Sequence, residues 1–133
     1  MKGKILFLCT GNSCRSQMAE GFAKSLGWYS SSAGTKPEIA VNPNAIKVMR
    51  EKDIDIRNHT PELVDNYIKD NFDIVLTVCD NAKENCPVFL GKTNKLIHYS
   101  FEDPADFVGD SESTLNEFRR IRDQIEVYLN KLL

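Results

Sequence analysis

A doubly wound α/β domain is what this sequence predicts: a four-stranded parallel sheet with helices on both faces. Two observations carry that expectation. Short apolar and β-branched runs alternate with helical patterns from end to end, and strands separated by helices pair in parallel through right-handed crossovers. In addition, 133 residues at 41% hydrophobic and 27% charged match one ordinary globular domain, residues 1–133, with no repeat or linker.

The elements follow in order. "KILFLC" (Lys4 to Cys9) is a short strand. "SQMAEGFAKSLG" is helical, with Met18, Phe22 and Leu26 four apart and Gly27 as a stop. "WYSSSAG" (Trp28 to Gly34) reads as a second strand. "NPNAIKVMREKDI" opens on Asn42 as N-cap with Pro43 in the first turn, and "TPELVDNYIKDN" reads as another helix. "FDIVLTVC" (Phe72 to Cys79) is apolar and β-branched throughout, a strand buried on both faces. "KLIHYS" (Lys95 to Ser100) is a weaker fourth strand. A terminal helix carries a Thr114–Glu117 capping signal and apolar residues at 115, 118, 121, 125 and 129.

A net charge of −2 gives no footing for a nucleic-acid or membrane partner. No apolar run approaches the roughly 20 residues of a membrane span, and the basic start runs directly into a strand, unlike a signal peptide. A cytoplasmic monomer is expected. Four cysteines, at 9, 14, 79 and 86, are not spaced for a structural zinc site and would stay reduced in the cytosol. They read as reactive thiols.

The first strand ends on Cys9, followed by Thr10, Gly11, Asn12, Ser13 and Cys14, then Arg15 and Ser16 at a helix start. Ligands of open α/β sheets bind beyond the carboxyl ends of the strands. Successive backbone N–H groups before a helix make a nest for an oxyanion, so residues 10–15 are expected to bind one. Gly11 permits a close turn and Asn12 an unusual backbone angle. Arg15 can grip two oxygens with its planar fork. The positive surroundings are expected to lower the Cys9 thiol pKa, with Ser16 adding a hydrogen bond to the thiolate.

"CTGNSCRSQMAEG" resembles the loop and first helix of the low-molecular-weight protein tyrosine phosphatases, and is closer still to the arsenate reductases that share their fold. "SAGT" (32–35), "VNPNAIKVM" (41–49), "DIDIRNHT" (53–60) and "DPA" (103–105) extend the likeness over nearly the whole chain. The resemblance implies that the acid standing before proline, here Asp103 before Pro104, protonates the leaving oxygen. Glu102 and Asp106 are its neighbours, and His59 and His98 are read as structural. Proline holds the residue before it extended.

A phosphatase of this kind needs one cysteine, whereas "VCDNAKENCP" adds Cys79 and Cys86. The arrangement supports a relay in which Cys9 attacks arsenate, Cys79 resolves it, and Cys86 takes over the disulfide. The resemblance implies thioredoxin as the reductant. Cys14 is read as structural, or as an off-path partner of Cys9 under oxidative stress. Some relatives bind potassium beside the loop. Asn12, Glu20 and Ser32 match its ligand positions, but Glu62 stands where the pattern has aspartate, so the ion is unassigned and no cofactor is required. The alternative reading is a low-molecular-weight tyrosine phosphatase using Cys9, Arg15 and Asp103; a non-catalytic redox sensor would need only the thiols.

Overall fold

The computed structural model describes residues 2–80 and 88–133. The strands are β1 (Lys4–Cys9), β2 (Tyr29–Gly34), β3 (Asn71–Thr77) and β4 (Lys92–His98). They form one sheet in the order β2-β1-β3-β4, and every pairing is parallel. The chain winds one way from β1 to β2 and the other way through β3 to β4. The switch point therefore falls between β1 and β3, where a crevice opens at the strands' carboxyl ends.

Alternation along β1 decides what each face meets. Ile5, Phe7 and Cys9 face a core completed by Met18, Ala19 and Phe22 of α1 (Arg15–Ser25), by Ala45, Val48 and Met49 of α2 (Pro43–Arg50), and by Phe118, Ile121, Ile125 and Leu129 of α3 (Ser111–Leu132). Leu6 and Leu8 face the other way, against Val75, Phe72, Val64 and Phe89. Among the described residues all three α-helices thus lie on one face. The other is closed by Phe89 and by the 3₁₀ turn Val64–Tyr67.

Several local expectations shift. The helix expected over Thr60 to Asn71 is only that four-residue turn; its window buries one apolar side chain, Val64, while Leu63 and Ile68 stay exposed, too little to stabilise a helix by packing. The cap of α3 is Asp110, whose Oδ1 accepts from Ser113 N at 2.7 Å, rather than Thr114. Thr114 instead donates its hydroxyl to the Asp110 carbonyl at 2.7 Å. Asn42 caps α2 as expected, accepting from Asn44 N at 2.9 Å. β4 is an edge strand, exposed along most of its length.

Candidate active site

β1 delivers Cys9 to the switch point, and the next five residues turn back over its sulfur. The backbone amide of Asn12 donates to Cys9 Sγ at 3.2 Å, and the Ser16 hydroxyl lies 2.9 Å from it. Asn12 itself is left-handed, at φ 52°, a conformation its short polar side chain can compensate locally. Its Nδ2 donates to Ser16 Oγ at 2.7 Å and to Ser32 Oγ at 2.9 Å, while its Oδ1 accepts from Glu62 N at 2.8 Å. Ser32 in turn donates to Glu20 Oε1 at 2.6 Å. The loop is therefore pinned to β2 and α1 by a fully buried amide.

Glycine serves the loop through close approach. A side chain on Gly34 would place its Cβ 2.3 Å from the Thr10 carbonyl oxygen. One on Gly11 would meet Glu38 Cγ at 3.3 Å. The positive backbone angle belongs to Asn12, and Gly11 only leaves room for its neighbour.

Arg15 is the first residue of α1 and is buried, 3% exposed. It donates to the Phe101 carbonyl at 3.2 Å and lies 3.5 Å from Asp103 Oδ2. Asp103 is extended at φ −81°, ψ 112°, as a residue before proline must be, and its Oδ1 accepts from Ala105 N at 3.0 Å. Glu102 is diverted to Arg120, 3.1 Å away. Cys9, the loop, Arg15 and Asp103 together line a cavity of about 330 Å³.

Cys79 follows β3 and is fully buried. Since β1 pairs directly with β3, and Val78 N donates to Leu8 O at 2.9 Å, the ends that carry Cys9 and Cys79 are neighbours on one rim. Cys79 is disulfide-bonded, whereas Cys9 and Cys14 are free thiols. Cys86 lies outside the described residues.

The electrostatics depart from expectation at the nucleophile. Burial pushes the Cys9 thiol above its ordinary value, against the lowering effects of Arg15, the Ser16 hydroxyl and the Asn12 amide. The donors anticipated from the sequence are present, but desolvation of a sulfur only 2% exposed outweighs them. Burial also pushes Cys14 up to about 12, which suits a structural thiol.

Asn12, Glu20 and Ser32 do come together, joined by hydrogen bonds of their own. Asn12 turns its N–H₂ toward Ser32 and its oxygen toward the Glu62 amide. Glu20 Oε2 is taken by Lys24 at 2.7 Å. The Glu62 carboxylate accepts from Thr60 and Asn66 at the surface, 3.3 Å from each. His59 contacts Gln17 Oε1 at 3.0 Å and Lys24 Nζ at 3.2 Å, and burial lowers its pKa. His98 bridges Thr77 and Ser100. Neither histidine lines the cavity.

Two lining residues, Lys36 and Glu38, escaped the sequence reading. The available signal was position: β2 neighbours β1, so residues just past Gly34 must emerge on the same rim.

Residues 4–133 match the family model described as low molecular weight phosphotyrosine protein phosphatase. The chain is 47% identical over 133 residues to an arsenate reductase of Staphylococcus aureus (strain N315), covering 98% of this chain and 95% of that one. A solved arsenate reductase in an oxidized state superposes with a TM-score of 0.80 at 33% identity, covering 99% and 96% of the two chains. A low molecular weight protein tyrosine phosphatase from T. tengcongensis superposes at 0.74 with 25% identity, covering 97% and 96%.

Proposed function

This chain belongs to the low molecular weight phosphotyrosine protein phosphatase family, and from that premise we propose that it is an arsenate reductase working through three cysteines. The observation that carries the proposal is the shared rim: a thiol in an oxyanion cradle at the end of β1, and a disulfide-bonded Cys79 just past the end of adjacent β3. A phosphatase has no use for that second sulfur.

In this mechanism arsenate lies in the nest of residues 10–15, with Arg15 across two of its oxygens. The Cys9 sulfur attacks arsenic, forming an As–S bond as one As–O bond breaks. Asp103 donates its proton to the departing oxygen, which leaves as water. The Cys79 thiolate then attacks Cys9 Sγ. A disulfide forms, the As–S electron pair passes to arsenic, and arsenic(V) leaves as arsenite. Cys86 attacks Cys79 in turn, freeing Cys9 and moving the disulfide to Cys79–Cys86. A dithiol reductant, thioredoxin, takes up that disulfide and resets the enzyme. Ser16 and Asn12 hold the Cys9 sulfur throughout. Residues 1–133 act as one monomeric domain in the cytoplasm.

A disulfide-bonded Cys79 beside a free Cys9 supports a redox use of the second sulfur. The test is Cys86→Ser in the full chain, assayed by thioredoxin-coupled NADPH oxidation with arsenate. One turnover followed by a trapped Cys9–Cys79 disulfide is expected. Sustained turnover with thioredoxin alone refutes the relay. The phosphatase alternative is favoured instead by brisk aryl phosphate hydrolysis that is indifferent to loss of Cys79 and Cys86, with no arsenite formed.

A further inference from the structure

The cavity that holds Cys9 has an unfavourable charge balance for its proposed substrate. Among the described residues its charged lining is Arg15 and Lys36 against Asp103, Glu38 and Asp106. Arg15 is buried and already faces Asp103 at 3.5 Å, and the whole chain carries a net charge of −2. An oxyanion approaching from solvent therefore meets a mouth that repels it before the buried guanidinium can act. Among the described residues one exposed group offsets this. Lys36 is exposed, and among the described residues no carboxylate forms a salt bridge with it.

Its placement is fixed by the backbone. Lys36 N donates to the Thr10 carbonyl at 3.0 Å, and Glu38 N donates to the Gly11 carbonyl at 2.9 Å. Two backbone hydrogen bonds thus hook the segment after β2 onto the outer edge of the cradle. Gly34, where that segment begins, packs against the Thr10 and Cys9 carbonyls. Wherever the cradle sits, the Lys36 backbone sits beside it.

We propose that Lys36 is the substrate-recruiting cation of this site, drawing the arsenate dianion to the mouth and passing it to the nest and Arg15. The proposal rests on the arsenate reductase reading. Because the ammonium is solvated, its action is long-range and screened by salt. A dianion about 7 Å from an exposed ammonium in water-like surroundings is held roughly five- to tenfold more strongly. Lys36 takes no part in the displacement itself, so it acts on capture rather than on chemistry.

The experiment compares wild type, Lys36→Gln and Lys36→Arg as full, reduced chains. Arsenite formation is followed at increasing arsenate with excess reduced thioredoxin, which resets the disulfide after each turnover, from low ionic strength to about 0.5 M sodium chloride, where screening is nearly complete. Lys36→Gln is expected to raise KM for arsenate roughly five- to tenfold at low salt, leave kcat unchanged and flatten the salt dependence. Lys36→Arg is expected to restore both. A KM within twofold of wild type with the same salt dependence overturns the proposal. So does a fall in kcat accompanied by a lower Tm, which marks a structural strap. Protection of Cys9 from iodoacetamide by arsenate reads capture without turnover. If wild type makes no arsenite, the reductase reading fails on its own. The Lys36 proposal then stands if Lys36→Gln needs several-fold more arsenate for protection, and falls if protection is equal.

Discussion

Gly34→Ala tests whether the cradle depends on the end of β2. Gly34 is the β2 partner of Cys9 in the sheet register, and its amide donates to the Glu62 carbonyl at 2.9 Å. A methyl group there lies 2.3 Å from the Thr10 oxygen and 3.0 Å from the Cys9 oxygen, both backbone atoms. Ordinary contact begins near 3.4 Å, so Thr10 must retreat by roughly 1 Å, and a displacement of that size at a reacting centre costs about 10²-fold in rate. Cys9 is paired with Gly34 in β2, and Leu8 just before it is held by β3, so the retreat opens the loop over the sulfur instead of moving the site as a block. Overpacking of this kind costs about 1–3 kcal/mol, leaving the domain folded with a lower Tm. The assay is arsenite formation alongside thermal unfolding. Activity within threefold of wild type refutes the argument that Gly34 sets the cradle's shape.

Three further outcomes are expected. Asn12→Gly and Asn12→Ala both strand buried donors and acceptors at Ser16, Ser32 and the Glu62 amide, at about 1–3 kcal/mol. The alanine variant loses roughly 1 kcal/mol more at φ 52°; equal Tm values for the two would deny that the left-handed angle matters. Asp103→Asn should slow arsenite formation on the order of 10²-fold while arsenate still protects Cys9 from alkylation, and an unchanged kcat would remove Asp103 from the proton path. At the far end of the fold, hydrogen bonds from Arg119 first, and also from Arg122, hold Glu51 down at about 2. A lowered folded pKa stabilises above the ordinary carboxylate range and is lost as pH falls from about 4.5 toward about 2. Glu51 is partly exposed, 41%, so Glu51→Gln should cost under about 1 kcal/mol at pH 7. That difference should vanish near pH 2, and a gap that persists there contradicts the linkage.

Much of the site was legible because its grammar is local. A strand, a tight loop, an arginine and a helix start are contiguous, so Cys9 to Ser16 were readable from their local order, whereas Asp103 was singled out by the family resemblance. The sheet order was legible only conditionally: whether Cys79 shares a rim with Cys9 depends on β1 pairing β3, which no local pattern states. The missed features are those in which a residue serves a distant neighbour. Lys36 and Glu38 reach the cavity through backbone bonds to residues 10 and 11, and Gly34 is small because of Thr10. The expected helix at Thr60 to Asn71 failed for a related reason. That segment sends the Glu62 amide to Asn12 and the Glu62 carbonyl to Gly34, and a regular helix would turn that carbonyl along its own axis to accept from Asn66.

The nucleophile sets two familiar rules against each other, and one substitution separates them. Positive surroundings favour a thiolate, while burial disfavours it. At Cys9 burial is the larger influence, and Arg15, the Ser16 hydroxyl and the Asn12 amide oppose it. Ser16→Ala removes one opponent, the hydroxyl 2.9 Å from the sulfur, without exposing the thiol. The thiolate must then appear at higher pH. A hydrogen bond to a charged group is worth about 1.5–3 kcal/mol, and one pH unit is about 1.4 kcal/mol, so a shift of roughly 1–2 units is expected. The measurement is the pH dependence of iodoacetamide alkylation at Cys9, followed on the Cys9 peptide, with Cys14 kept silent by burial and a thiol pushed up to about 12. An unchanged or acid-shifted profile would mean that the Ser16 hydroxyl does not donate to the sulfur. The cradle's stabilisation of negative charge would then be carried by Arg15 and the loop amides, and Ser16 would serve chiefly as the acceptor that locks Asn12 in place.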